Sequence, residues 1–168
     1  MRARVVRDDK LVTLTDHKEI QAALAANEMI WIELEAKCAE ADEILLETLD
    51  VHPLTIEDIW GLRTQPKLED YRKYLYVIVH GIQSAKRGSF DLIELDVLIG
   101  KNWLVTHDAN GAIAKEVSDE LERDPVLLTK GPAWLAHSLL DALGSVLTTG
   151  AWRPFDSAAR EPWRAWVL

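Results

Sequence analysis

A chain of 168 residues is long enough for one compact domain with a real core, and its 48% hydrophobic and 28% charged residues are ordinary for a globular protein. The net charge of −9, with basic residues scattered rather than clustered, argues against a nucleic-acid partner. No run approaches the ~18–20 apolar residues that cross a bilayer, no apolar segment follows the basic N-terminus as in a secretory signal, and the single Cys38 excludes an internal disulfide. A soluble domain in the reducing cytoplasm is the expectation.

In chain order, residues 4–7 and 11–14 flank Asp8-Asp9-Lys10 and predict a strand, a turn and a strand. Asp16, with Glu19 three residues on, has the spacing of a capping box, and Ile20, Leu24 and Ala25 give the helix behind it an apolar stripe. Residues 29–34 suit a strand. From residue 38 to 49, Ala41, Leu45 and Leu49 recur every four positions and predict an amphipathic helix. His52-Pro53-Leu54 opens a short helix that stops near Gly61, with Pro53 in the first turn, where its missing N–H costs nothing. Thr55 and Asp58 offer a further capping spacing, and Glu57 and Asp58 lie where the helix dipole favours acids. Pro66 biases Gln65 towards extended backbone, so residues 63–68 read as a loop.

Residues 74–83 form a continuous β-rich run, with Tyr74, Tyr76, Ile78 and His80 on one face and Leu75, Val77 and Val79 on the other, so a central strand is expected. Residues 90–99 alternate Ile93, Leu95, Val97 and Ile99 against Glu94 and Asp96. Gly100-Lys101-Asn102 then turns into residues 103–106, completing an antiparallel meander of three strands. Helices follow over 111–123, with Ile113, Val117 and Leu121, and over 132–143, with Leu135, Leu139 and Leu143. The predicted fold is α+β: a layered domain over residues 1–143 whose mixed, largely antiparallel sheet is covered by helices. Residues 144–168 contain no lysine but three of the seven tryptophans, and form an atypical tail. Gly144, Gly150, Pro154 and Pro162 make a long helix there costly, and Trp152, Trp163 and Trp166 are expected to cover apolar surface. So abrupt a change is what an artificially ended or frameshifted reading frame produces.

Several stretches carry a resemblance. His52-Pro53-Leu54 with Glu57 and Asp58, then Gln65-Pro66-Lys67-Leu68-Glu69-Asp70-Tyr71, are preceded by Trp31-Ile32-Glu33-Leu34 and followed by the run from Ile93 to Gly100 and by Leu104-Val105-Thr106-His107. In this order they resemble the cytosolic domain of the CorA family of divalent-cation channels, from about Met29 to Leu143. The family's pore signature, Gly-Met-Asn, is absent, since the only methionines are Met1 and Met29. The resemblance implies a CorA soluble-domain fold on the cytoplasmic side of the inner membrane and a parent protein that carries Mg²⁺, Co²⁺ or a similar cation. It also implies a pentamer of the chain's own subunits, and membrane contact only through segments that this sequence lacks. A regulatory and assembly role is implied for this domain, rather than conduction.

Candidate residues divide by chemistry. Magnesium takes oxygen ligands and keeps several waters, so Asp91, Glu94 and Asp96 are the acids to consider for a weakly bound regulatory cation, Glu94 and Asp96 sharing one strand face. The plainer reading is that they pair with neighbouring basic groups. His52, Pro53, Glu57, Asp58, Pro66, Lys67, Asp70 and Tyr71 are structural motif positions. His52 is expected to satisfy helix-start N–H groups and Lys67 to pair with Glu69 or Asp70. His137 and Asp141 have the spacing of a surface pair, and His80 and His107 are near enough in the meander to face each other. The acids from Glu33 to Asp58, opposed only by Lys37, read as a solvated face. No nucleophile elbow, phosphate loop, dinucleotide fingerprint or zinc-protease motif is present, and one cysteine with five separated histidines offers no zinc spacing. Two further readings compete with the regulatory one: a stand-alone protein-interaction module derived from a truncated relative, and the soluble domain of a zinc transporter of the same superfamily.

Overall fold

The computed structural model describes residues 1–61, 65–84, 90–109 and 111–146. Strands β1 (Arg2–Arg7) and β2 (Lys10–Leu14) form a hairpin. Asp8 and Asp9 both have positive φ, 50° and 57°, as a tight two-residue turn matching the strand twist requires. Helix α1 (His17–Ala25) starts at Asp16, whose side chain accepts from the Glu19 N–H. The Glu19 carboxylate reaches back to the N–H of Thr15, one residue earlier than the standard capping box. At the other end Asn27 adopts φ 58°, and Glu28 N–H bonds to the Ala23 carbonyl, so the last carbonyls of α1 are satisfied before β3 (Ile30–Leu34) begins.

Helix α2 (Ala39–Glu43) runs into a widened π turn, Ile44–Thr48. The Leu49 N–H bonds to the Ile44 carbonyl across five residues. The four-residue period placed Ala41, Leu45 and Leu49 in the core correctly; the widened turn brings Ile44 there as well. Helix α3 (Pro53–Trp60) is followed by the short β4 (Lys67–Asp70). Lys67 and Leu68, expected in a loop, are paired with Ile78 and Val77 of β5 (Leu75–Ser84), which supplies the backbone partners that an isolated Pro-containing segment lacks. The meander β5, β6 (Phe90–Ile99) and β7 (Trp103–Asp108) is antiparallel throughout, as its turns require. Helix α4 (Ala112–Arg123), a 3₁₀ turn at Pro125–Lys130 that periodicity did not reveal, and α5 (Pro132–Val146) complete the described chain. Helix α5 passes Gly144, three residues beyond its expected end, and residues 147–168, with the expectations made for their tryptophans, lie outside the described residues.

The seven strands make one sheet in the order β2-β1-β3-β7-β6-β5-β4, in which only β3 and β7 are parallel. Helices α1, α2 and α3 bury one face with Ile20, Ile44, Leu45 and Ile59; α4 and α5 bury the other with Ile113, Val117, Leu121, Leu135 and Leu139. The α+β layered fold with a mixed, largely antiparallel sheet is therefore what the chain adopts. The centre of the sheet is β3 and β7, and β5 lies one strand from the edge. Tyr76 and Ile78 are buried as expected, but Val77 and Val79 are only half-buried, because the edge strand β4 leaves their face incompletely covered.

The β6–β7 turn is sterically tight. A Cβ at Gly100 would lie 2.1 Å from Cε2 of Trp103, whose indole is itself packed against Tyr74. Gly100→Ala is expected to destabilise by ~1–3 kcal/mol through overpacking. Gly144→Ala, where a Cβ meets nothing within 4 Å, should be neutral or stabilising. Thermal melts of the two variants check this; equal melting temperatures would refute it.

Candidate functional site

The motif residues converge where α3 and β4 meet the sheet. His52 caps α3: its Nδ1 accepts from the Leu54 N–H at 3.2 Å, in place of the Thr55–Asp58 cap that spacing allowed. Thr55 is buried instead, with its hydroxyl 3.2 Å from the Tyr74 hydroxyl, which also accepts from the His52 N–H at 3.0 Å. Tyr71 stacks between His52 and Tyr74 at centroid distances of 5.7 and 4.9 Å, and its hydroxyl donates to Glu69. Pro53 occupies the first turn, while Glu57 and Pro66 are exposed. Asp70 accepts from the Arg72 N–H at 2.6 Å and so fixes the turn in which Arg72 has φ 64°.

Lys67 joins these parts. Its ammonium reaches Asp58 of α3 at 2.8 Å and Glu69 at 2.9 Å, and lies 5.5 Å from the centre of the Tyr76 ring. The Glu69 pair matches expectation. The Asp58 pair crosses from helix to edge strand, so Asp58 is a buried tie to Lys67 rather than a dipole-facing surface acid.

The polar chain continues across the same sheet face. The Tyr76 hydroxyl donates to Asp96 at 2.7 Å, and the other oxygen of Asp96 is 3.4 Å from Nδ1 of His107. Glu94 is 2.8 Å from Nε2 of His80. Strand alternation does put Glu94 and Asp96 on one face, and cross-strand register then sets His80 opposite Glu94 and His107 opposite Asp96. The two histidines thus flank β6 rather than facing each other. Trp60 of α3 stands edge-on to His107 at 5.1 Å and donates from Nε1 to Asp42 of α2 at 2.7 Å. This contact was not legible in the sequence, since nothing in spacing links residues 42, 60 and 107. Asp91 pairs with Gln83 along the backbone, and its side chain lies outside the described residues. His137 and Asp141 are the exposed helix pair expected, at 3.3 Å.

The opposite face holds a second buried ion pair. Arg4 bonds to Glu33 across the β1–β3 ladder, donates to Ser118 of α4 at 2.6 Å and stacks over Trp31 at 4.5 Å. Trp31 donates in turn to Thr106 at 3.0 Å. Burial pushes the Glu33 carboxyl up, against the pull of Arg4, and the same burial lowers Arg4.

This geometry binds helices to a sheet through paired charges. Among the described residues, no three or more His, Cys, Asp or Glu side chains are arranged to hold a metal ion, and no helix is long and apolar enough to cross a membrane. The class defined by the fold is the soluble domain of metal-transport proteins. Full-length CmaX superposes with a TM-score of 0.62 at 18% identity, over 87% of this chain and 46% of CmaX. The ZntB cytoplasmic domain from Vibrio parahaemolyticus gives 0.59 at 14% identity, over 86% and 57% of the two chains. The soluble domain of CorA from Methanocaldococcus jannaschii gives 0.58 at 17%, over 86% and 56%.

The family model described as CorA-like Mg²⁺ transporter protein matches residues 26–145, and the chain belongs to that family. A Bacillus subtilis protein named as a metal ion transporter, YfjQ, is 28% identical over 116 residues, 67% of this chain and 35% of YfjQ. A metal ion transporter so named in Schizosaccharomyces pombe is 26% identical over 128 residues, 74% of this chain and 20% of that protein. The chain thus spans about a third or less of these relatives.

Proposed function

We propose that this chain serves as the regulatory domain, on the cytoplasmic side of the inner membrane, of a protein that transports Mg²⁺, Co²⁺ or a similar cation. In this role it senses cation and assembles with copies of itself, as a pentamer, and carries out no chemistry of its own. The observation that carries this reading is the family match over residues 26–145 on a CorA soluble-domain fold. The absence of a converging ligand set among the described residues favours a regulatory cation shared between subunits over one held within a single domain. Glu94, with a fifth of its side chain exposed, is the acid placed to contribute; Asp96, at 1%, acts by fixing Tyr76 and His107. Asp91 stays a candidate on its position in β6 alone.

Two measurements test this. The chain alone is expected to bind Mg²⁺ no tighter than millimolar, so Mg²⁺ at a concentration equal to Kd stabilises by only ~0.4 kcal/mol. A large melting shift at micromolar Mg²⁺ would show that one domain holds the whole sensor. The second is a chimera in which residues 26–145 replace the equivalent domain of a CorA transporter, assayed for uptake against cytosolic Mg²⁺, Co²⁺ and Zn²⁺. Uptake that falls as one cation rises supports sensing and identifies the cation. Uptake that ignores all three refutes sensing and leaves the interaction-module reading.

A further inference from the structure

The connections leaving the two parallel strands depart on opposite faces of the sheet. After β3 the chain enters α2 on the α1–α3 face, and after β7 it enters α4 on the other. Where neighbouring parallel strands part in this way, a crevice opens outside their carboxyl ends and is the usual place for a ligand in an open sheet. Here a crevice of about 470 Å³ lies at that position, between the ends of β3 and β7 and the flank of α4. Its volume falls in the range of small-molecule sites.

Its charge is uneven. Glu33, Glu35, Asp108, Asp119 and Glu122 line it, against Arg2 and Lys115. Arg4 compensates Glu33 through their buried pair, which leaves the crevice net negative. Both lining cations are exposed and sit in pairs of the weak, surface kind: Arg2 with Glu35 at 3.6 Å, Lys115 with Asp119 at 2.7 Å. The acids are spread around the walls and converge on no metal centre. Separated carboxylates suit several N–H donors spaced along one ligand, whereas a hard metal ion needs its oxygens gathered round a point.

We propose that this crevice binds an extended organic polycation carrying two or more ammonium groups, of the polyamine class. The site stands on its own geometry and does not depend on the transport reading. It takes one ammonium near Glu35 at the end of β3 and another near Glu122 on α4, with Asp108 between them at the end of β7.

The test is a titration of the full chain with spermidine, followed by amide NMR at constant ionic strength. Saturable shifts are expected at Glu35, Gly111 and Lys115. The double variant Glu35→Gln/Glu122→Gln, both positions exposed, should weaken binding about fivefold, and Lys115→Gln should tighten it about twofold, as the loss or gain of exposed charge pairs predicts. Glu47→Gln on the π turn should leave binding unchanged. Non-saturating shifts spread over all acidic surfaces would overturn the proposal, as would equal weakening by Glu47→Gln. Saturation of the same amides by MgCl₂ at lower concentration than spermidine would make the crevice a metal site and equally overturn it.

Discussion

An Ile32→Asp variant is expected to be unfolded, recovered in the insoluble fraction or without a cooperative melt. Ile32 is fully buried in β3, between Ala3 of β1 and Val105 of β7. No cation is paired with it in the ladder, and its neighbours in that core are apolar. An unpaired carboxylate there costs several kcal/mol in desolvation, and loss of the isoleucine adds ~1.5–3 kcal/mol. A domain of this size has ~5–15 kcal/mol in all. Val79→Asp, which a central-strand reading of β5 would make equally damaging, should remain folded with a lowered melting temperature, since Val79 is half-buried near the sheet edge. Circular dichroism melts of both variants decide the matter. A soluble, cooperative Ile32→Asp protein would contradict the placement of β3 at the centre.

Arg4→Met is expected to destabilise by ~3–5 kcal/mol, because it strands the buried Glu33 carboxylate without its cation. Pairing it with Glu33→Leu should recover most of the loss, since an apolar pair needs no compensation. The effect should also depend on pH. Burial holds the Glu33 carboxyl above its usual 4.5 in the native state, so the unfolded chain ionises this group first as pH rises. The stability that Glu33 contributes is therefore full below about 4.5 and falls as pH climbs through the raised native value. Without Arg4 that native value rises further. The Arg4→Met penalty should accordingly be larger at neutral pH than below pH 4.5. Urea denaturation at both pH values measures it, and a pH-independent penalty would be inconsistent with an ionised Glu33 at neutral pH.

Much of the architecture was legible because it rests on local patterns. The Asp-Asp turn, the Asp16 cap, the His-Pro helix start and the antiparallel meander each follow from a few adjacent residues. The misreadings came from long-range pairing. Lys67 and Leu68 looked like loop until β5 supplied a partner, and Val77 and Val79 looked central because the sequence does not say how many strands lie beyond them. At the site, alternation placed Glu94 and Asp96 together, and the expectation that Lys67 pairs with Glu69 holds. Asp58–Lys67, Trp60–Asp42 and Arg4–Ser118 were not legible. Their partners lie on different elements, and only the packing of helix on sheet brings them together. The family resemblance, by contrast, was carried by ordered short motifs and needed no tertiary information.

The parallel register of β3 with β7 joins Ile30 to Trp103, far apart along the chain. As the protein leaves the ribosome, the β2-β1-β3 ribbon is finished well before its neighbour exists. At ~5–20 residues per second, β3 waits roughly 4–15 s with one row of N–H and carbonyl groups open. Its sequence, Ile-Trp-Ile-Glu-Leu, is the kind of short apolar edge that recruits strands from other chains. Yield in cells should therefore depend on translation rate and chaperone supply more than the stability of the finished fold would suggest.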